Sequence, residues 1–101
     1  MKEIWRDIKD YEGLYQVSNL GNVKSLRNNK ILKGGYSHNG YKIVCLKGKM
    51  FRVHRLVAET FLDNNENLPY VNHKDENKEN NNVDNLEWCT GEYNIRHKKE
   101  N

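Results

Sequence analysis

Four polar residues in the C-terminal half of the sequence have types and a spacing that suit hydrolysis of a phosphodiester bond. Asn72 directly precedes His73, and Asn85 and Asn94 follow in the next part of the chain. A histidine of near-neutral pKa can take a proton from water. Amide oxygens can hold a hard divalent cation that neutralises phosphate charge, and Asn85 can donate and accept as a clamp on a loop backbone. The alternative is that His73 is an ordinary surface histidine beside a polar loop.

A strand, a polar loop, a second strand and a helix would bring these residues together. Residues 70–73 are predicted as a short extended segment, and residues 83–88 as a returning strand. Thr90 suits the N-cap of a last helix over residues 91–98, which would carry Asn94. Because neighbours on a strand point to opposite faces, Asn72 and His73 reach one site only if the strand ends there.

The segment between these two strands, residues 75–84, is almost wholly polar and rich in asparagine. Such a run is typical of a flexible or disordered loop. Asparagine also favours left-handed backbone and side-chain hydrogen bonds to the local backbone, so an ordered loop is the other interpretation.

The N-terminal half is predicted to be strand-rich. Alternating apolar and polar residues, broken by glycine turns, indicate short strands over 4–8, 14–17, 23–26, 31–33, 41–46 and 50–54. Val53, Leu56, Val57 and Phe61 then recur at helical spacing and predict an amphipathic helix from about His54 to Leu62.

Charge is distributed unevenly along the 101 residues, although the net charge is only +3. Between Asn22 and Ala58 there is no Asp or Glu, and Tyr36, Tyr41 and Phe51 are interleaved with basic residues. This pattern favours nucleic-acid binding over a merely solvated basic face or a membrane surface. The predicted DNA-binding residues are Lys24, Arg27, Lys30, Lys33, Lys42, Lys47, Lys49, Arg52 and Arg55.

Other features of the sequence exclude several classes of protein. No apolar run is long enough for a transmembrane helix, and the N-terminus lacks the apolar stretch of a signal peptide. Cys45 and Cys89 lie far apart without CxxC spacing. They predict free, buried or half-buried thiols in a cytosolic protein, without a disulfide framework and without structural zinc.

Two stretches of the sequence resemble a known family. Residues 69–78, with Asn80, Asn81, residues 85–90, Asn94 and His97, closely resemble the HNH nuclease motif of phage and intron-encoded homing endonucleases. Residues 54–61 are similar to the helix that precedes that motif. Residues 3–26 resemble a NUMOD-type module that comes before such nucleases.

The resemblance implies an α+β fold, in which an N-terminal antiparallel β module is followed by a ββα-metal nuclease motif of the HNH, or His-Me finger, type. The expected division is a DNA-binding module over residues 1–50 and a nuclease domain over residues 51–101. The implied function is a metal-dependent endonuclease of a phage or mobile element, acting in the cytoplasm of a bacterial host. Its partner would be double-stranded DNA, with a homodimer as a further expectation and no membrane.

The resemblance also implies a role for each motif residue. His73 would be the general base, Asn72 and Asn94 the ligands of a single Mg²⁺ or Mn²⁺ ion, and Asn85 the structural residue of the loop. Cleavage of one DNA strand would leave 5′-phosphate and 3′-hydroxyl ends. His97, on the same helix face as Asn94, and the more structural His54 are candidates for support of the active site.

The sequence departs from its relatives at two positions. Asn72 is neutral where many relatives have an acidic residue. Glu76 stands where relatives commonly have glycine, which would cost on the order of 1 kcal/mol if that position needs a positive φ. The chain also ends soon after the motif, so site selection is expected to be poorer than in longer members of that family, or supplied by a partner, a dimer or a missing C-terminal segment.

Three other interpretations remain at this stage. Trp5, Tyr15 and Trp88 are predicted as core aromatics, with base stacking as the alternative. A DNA-binding module that retains the fold without cleaving is the main alternative function. An RNA-binding β domain is the third.

Overall fold

The computed structural model describes residues 2–91, which form an α+β fold of antiparallel sheets around one helix. The predicted last helix, with Asn94 and His97, lies outside the described residues apart from Gly91. The strands are β1 (Trp5–Asp7), β2 (Tyr15–Ser18), β3 (Val23–Ser25), β4 (Lys30–Ile31), β5 (Gly35–Tyr36), β6 (Lys42–Leu46), β7 (Lys49–Arg52), β8 (Tyr70–His73) and β9 (Leu86–Cys89). The helix α1 spans Val53–Phe61, and a short 3-10 helix spans Val83–Asn85.

The strands form three antiparallel sheets in simple sequential order. The first contains β1 to β4, the second β5 to β7, and the third is the β8–β9 hairpin. Within each sheet consecutive strands pair, so turns such as 26–29 and 47–48 connect them directly. This arrangement confirms the predicted α+β class with an N-terminal antiparallel part.

One buried cluster joins the three sheets to the helix. Val17 comes from the first sheet, Leu46 from the second, Val57 from the helix and Leu86 from the hairpin, and each is at most 2% exposed. The apolar positions that predicted α1 are the ones it buries, since Val53, Leu56 and Val57 belong to this cluster. The hairpin is thereby fixed against the body of the protein.

Two predicted elements are wrong in part. The strand expected over residues 83–88 begins only at Leu86, because the Asn82 side chain accepts a hydrogen bond from Asp84 N and caps a 3-10 turn. The strand expected to reach His54 ends at Arg52, where α1 begins. Cys45 is exposed because it points outwards between the buried Val44 and Leu46, whereas Cys89 is buried as predicted. No helix of the described residues is long and apolar enough to cross a membrane.

Candidate active site

The β8–β9 hairpin carries the residues on which the predicted chemistry depends. Its register pairs Asn72 with Glu87 and His73 with Leu86. Asn72 and His73 are each only 5% exposed, so neither is an ordinary surface residue. Their side chains have different hydrogen-bond partners, and β8 ends at His73, which is the condition stated for the two to reach one site.

The His73 ring is held by a single hydrogen bond to the polar loop. His73 Nε2 lies 2.8 Å from Asn81 Oδ1, and Asn81 is itself buried. An amide oxygen can only accept, so Nε2 carries the proton in this arrangement. In neutral His73 the lone pair that can accept a proton is therefore on Nδ1.

Two rings pack beside His73. The His54 ring lies 5.0 Å from it, centroid to centroid, and stacks on Tyr41 at 4.9 Å. Burial lowers the pKa of His54 to about 3, and the neighbouring His73 adds to the effect. His54 is consequently uncharged at neutral pH.

Burial also lowers the pKa of His73 from its ordinary value. The hydrogen bond to Asn81 and the charge of Asp75 oppose this shift, whereas Lys78 adds to it. The lower pKa keeps His73 unprotonated at neutral pH, which is the form that a general base requires.

Basic side chains lie over the same aromatic ring. The Arg52 guanidinium carbon is 5.2 Å from the centre of the Tyr41 ring, and Lys78 Nζ is 4.7 Å from it. Lys78 Nζ also donates to the Asn39 carbonyl oxygen, at 2.7 Å. Positive charge therefore flanks the ring that borders His73 and His54.

Asn72 is held from across the hairpin. Its amide nitrogen Nδ2 donates to Glu87 Oε1, at 3.0 Å. Because a carboxylate can only accept, this bond fixes which end of the amide faces Glu87. Within the described residues no hydrogen bond reaches Asn72 Oδ1.

Asn85 ties the two ends of the polar loop together. Its Nδ2 donates to Asp75 Oδ1 at 2.8 Å and to the Asn80 carbonyl oxygen at 2.9 Å, while its Oδ1 accepts from Asp75 N at 3.1 Å. Asn80 Nδ2 and the Asn77 backbone N–H also donate to Asp75, and together these bonds lower the pKa of its carboxyl group. The asparagine-rich segment thus makes the side-chain hydrogen bonds to local backbone that the ordered-loop interpretation expects.

Glu76 occupies a left-handed backbone conformation in this loop, with φ of +62°. Its N–H donates to the His73 carbonyl oxygen at 2.9 Å, which closes the turn after β8. Position 76 therefore has the positive φ at which a glutamate in place of glycine is expected to cost on the order of 1 kcal/mol.

The first sheet contacts the loop directly behind His73. Val83 N donates to the Asn19 carbonyl oxygen at 2.8 Å. Gly21 has a φ of +89°, and a β-carbon placed there would lie 2.7 Å from Asn81 Cβ. Only glycine fits this contact without displacing the residue that holds His73.

The predicted DNA-binding residues do not form one uniform surface. Arg27, Lys30, Lys33, Lys47, Lys49 and Arg52 are exposed. Lys24 Nζ lies over the Trp5 ring at 4.4 Å. Arg55 donates to the Pro69 carbonyl oxygen at 2.9 Å and lies 3.8 Å from Glu59, so part of its bonding capacity is used within the protein.

Trp5, Tyr15 and Trp88 are half-buried, and Tyr15 and Trp88 pack against the core cluster.

The sequence alone gives no role to Asn81, Glu87 or Tyr41. Asn81 is one of three consecutive asparagines, and composition does not distinguish which of them faces inwards. Glu87 is found only once the hairpin register is known, because that register sets it opposite Asn72. Tyr41 was noted only as an aromatic residue among basic ones.

The side-chain oxygen of Asn72 is an atom that suits a divalent cation. The buried Oδ1 of Asn72 lacks a donor within the described residues, and amide oxygen is a ligand that hard cations accept. Residues 2–91 contain no group of three or more His, Cys, Asp or Glu side chains arranged to hold a metal. Asn94, the second predicted ligand, lies outside the described residues.

Comparison with known proteins identifies several that are similar to this chain. The NUMOD4 motif matches residues 3–47. DNA endonuclease I-HmuI of Bacillus phage SP01 is 48% identical over 95 residues, which cover 90% of this chain and 55% of the phage protein. An HNH endonuclease of Acanthamoeba polyphaga mimivirus is 46% identical over 87 residues, which are 82% of this chain and 26% of that protein.

A solved structure agrees with the sequence matches. It is described as "DNA binding and cleavage by the HNH homing endonuclease I-HmuI", and it superposes with a TM-score of 0.83 at 44% identity, over 96% of this chain and 58% of that one. The chain is homologous to the HNH homing endonuclease I-HmuI over the residues that the two share. The predicted resemblance, with its N-terminal NUMOD-type motif, is therefore confirmed, and this homologue spans little more than half of the phage enzyme.

Proposed function

We propose that this HNH homologue is a DNA endonuclease in which His73 is the general base. The observation that carries the proposal is the hydrogen bond from His73 Nε2 to Asn81, which leaves Nδ1 as the basic nitrogen of a buried, neutral ring. The similarity to I-HmuI supports DNA as the substrate. The exposed lysines and arginines of residues 22–58 would contact its phosphates.

The proton transfers follow from the ring geometry. His73 Nδ1 takes a proton from a water molecule while the water oxygen attacks phosphorus. The bond from phosphorus to the 3′ oxygen breaks, and that oxygen takes a proton from solvent water to give the 3′-hydroxyl end. The Nε2–H bond to Asn81 strengthens as the ring gains charge, because a charged donor makes a stronger hydrogen bond. His54 keeps the neighbouring position uncharged, so the imidazolium forms without a second cation in contact.

A divalent cation is part of the proposal. Mg²⁺ or Mn²⁺, bound by Asn72 with Asn94, would neutralise charge on the scissile phosphate and the leaving oxygen. Asn85 would act only through the loop, by holding Asp75 and Asn80 in place behind β8.

Plasmid cleavage tests the proposal. Supercoiled DNA is incubated with protein and Mg²⁺ or Mn²⁺, and nicked or linear product is expected that disappears in EDTA and in His73→Ala. His38→Ala is the matched control, because His38 is exposed in the loop after β5. The two variants should bind DNA equally in a gel-shift assay. Linear product formed directly from supercoiled DNA would indicate that two copies of the protein act together and cut both strands.

The alternative is a DNA-binding module that no longer cleaves, which the neutral Asn72 favours. DNA binding without cleavage in either metal, or cleavage that His73→Ala leaves intact, would contradict the proposal.

A further inference from the structure

Glu87 contacts the buried amide that precedes the general base, and the proposed mechanism gives it no role. It stands directly opposite Asn72 in the β8–β9 register, and the two side chains are joined by the 3.0 Å hydrogen bond. Glu87 is half-buried and Asn72 is 5% exposed, so bulk water screens the pair only in part.

The hydrogen bond determines the orientation of the Asn72 amide. If the amide were reversed, its oxygen would face the Glu87 carboxylate, and two acceptors would meet without a proton between them. The orientation with Nδ2 towards Glu87 is therefore enforced, and it directs Oδ1 away from the carboxylate. That oxygen is the one without a donor in the described part of the chain.

The same contact supplies charge. A neutral amide attracts a cation weakly, but a carboxylate bonded to the N–H side of the amide polarises it and adds a negative charge nearby. In this chain the formal charge thus lies directly across the hairpin from Asn72.

We propose that Glu87 is a positioning residue for the divalent cation: it fixes Asn72 Oδ1 as a ligand and supplies the negative charge that Asn72 lacks. This inference rests on the proposed function, because it concerns the same metal-assisted cleavage. In this role Glu87 itself contacts neither water, phosphate nor metal.

Metal affinity measured without DNA tests this inference separately from activity. Mn²⁺ is titrated into the full chain, and paramagnetic broadening of the His73 ring protons in NMR spectra gives the affinity. Glu87→Gln can still accept from Asn72 Nδ2 but has no charge, so affinity should fall roughly tenfold, and Glu87→Ala should lower it further. Glu12→Gln, which removes the same charge from the exposed turn after β1, is the control and should have the wild-type affinity.

A charge exchange across the hairpin provides the rescue. Asn72→Asp combined with Glu87→Gln keeps one negative charge, and the glutamine amide can donate back to the new carboxylate. This double variant should recover at least the wild-type Mn²⁺ affinity. A purely structural Glu87 would change the thermal midpoint of these variants without changing Mn²⁺ affinity.

The possible results separate this inference from the proposed nuclease activity. Unchanged Mn²⁺ affinity in a folded Glu87→Gln variant, or no wild-type broadening at His73, overturns the role of Glu87. If His73→Ala abolishes cleavage in the same preparations, the nuclease proposal survives that result. Loss of affinity in Glu87→Gln together with rescue in the double variant supports the role of Glu87, even if the wild-type chain cuts no DNA.

Discussion

Asn81 is the residue through which the loop acts on His73. Its amide oxygen holds the Nε2–H group, so the identity of residue 81 sets both the tautomer and the ease of protonating the ring. Protonated His73 cannot act as a base, and we therefore expect the cleavage rate to fall as pH drops through the His73 pKa, which burial places below the ordinary histidine value.

Asn81→Asp should move that fall in rate to higher pH. A carboxylate at hydrogen-bond distance stabilises the imidazolium and raises the His73 pKa. Within the pH range of the wild-type fall in rate the variant should thus cleave more slowly than the wild type, and the two rates should converge at higher pH. Cleavage rates and an NMR titration of the His73 ring measure this shift. An unchanged pH profile would contradict the role given to Asn81.

His54 should make the protein sensitive to acid. Its pKa is about 3 in the folded state against 6.5 when unperturbed, so the unfolded state binds a proton first as pH falls. The stability contributed by neutral His54 is fully present above pH 6.5 and is lost between there and about pH 3. The loss is on the order of 4 kcal/mol.

His54→Phe should remove this part of the acid sensitivity. Phenylalanine keeps a flat ring against Tyr41, and no hydrogen bond to the His54 ring exists within the described residues. Urea unfolding at several pH values should give a smaller loss for the variant between pH 6.5 and 4. Parallel losses in the two proteins would mean that His54 is not buried in neutral form.

From the residues alone His73 was only a candidate base, because histidine titrates near neutral pH but is also common on surfaces, and the resemblance to the HNH motif implied its role. The sequence could not identify Asn81 or Glu87. An asparagine among asparagines and a glutamate in a strand are ordinary surface residues until a register makes them face inwards. The roles of Asn72, Asn85 and Asn94 stay predictions.

At the scale of elements, the loop after β8 depends on side-chain hydrogen bonds in place of apolar packing. Asn85→Ala removes three of them and leaves Asp75 N and the Asn80 carbonyl oxygen to water. The expected loss is about 2 kcal/mol in the free energy of unfolding. Asn65→Ala, an exposed asparagine in the loop after α1, should stay within about 0.5 kcal/mol of the wild type in the same urea unfolding experiment. Equal effects in the two variants would contradict the clamp.

Local pattern predicted most elements, and the failures have local causes. The core of α1 was predicted because its apolar spacing matches the burial that it adopts, whereas the strand predicted at residues 70–73 forms although its burial does not alternate. The segment 83–85 was predicted as part of the strand 83–88, but the Asn82 cap made it a 3-10 turn. Capping by one side chain is a single contact, and an alternating pattern does not reveal it.

At the scale of the whole molecule, the predicted division at residue 50 crosses a shared core. Val17 and Leu46 on one side of it and Val57 and Leu86 on the other belong to one buried cluster. The division stays a prediction about sequence modules. Since the core is common, we expect residues 51–101 expressed alone to lack a cooperative unfolding transition by circular dichroism.

Salt dependence should report the basic surface of residues 22–58. If about five of its side chains contact phosphates, the logarithm of DNA affinity should fall against the logarithm of salt concentration with a slope of roughly −4. Lys30→Ala with Lys33→Ala, both exposed, should reduce the magnitude of that slope by about 2. Lys9→Ala, outside the basic stretch, should leave it unchanged. A flat response to salt would refute phosphate binding by this surface.

The contact of Gly21 with Asn81 limits how this protein can be recombined with its relatives. A chimera that exchanges the first sheet but keeps the recipient's loop would place a new turn against Asn81, the residue that holds His73. Any donor turn with a side chain at that point would displace Asn81, and the chimera would bind DNA with the general base His73 out of position. Residues 80–83 should therefore be transplanted together with the sheet.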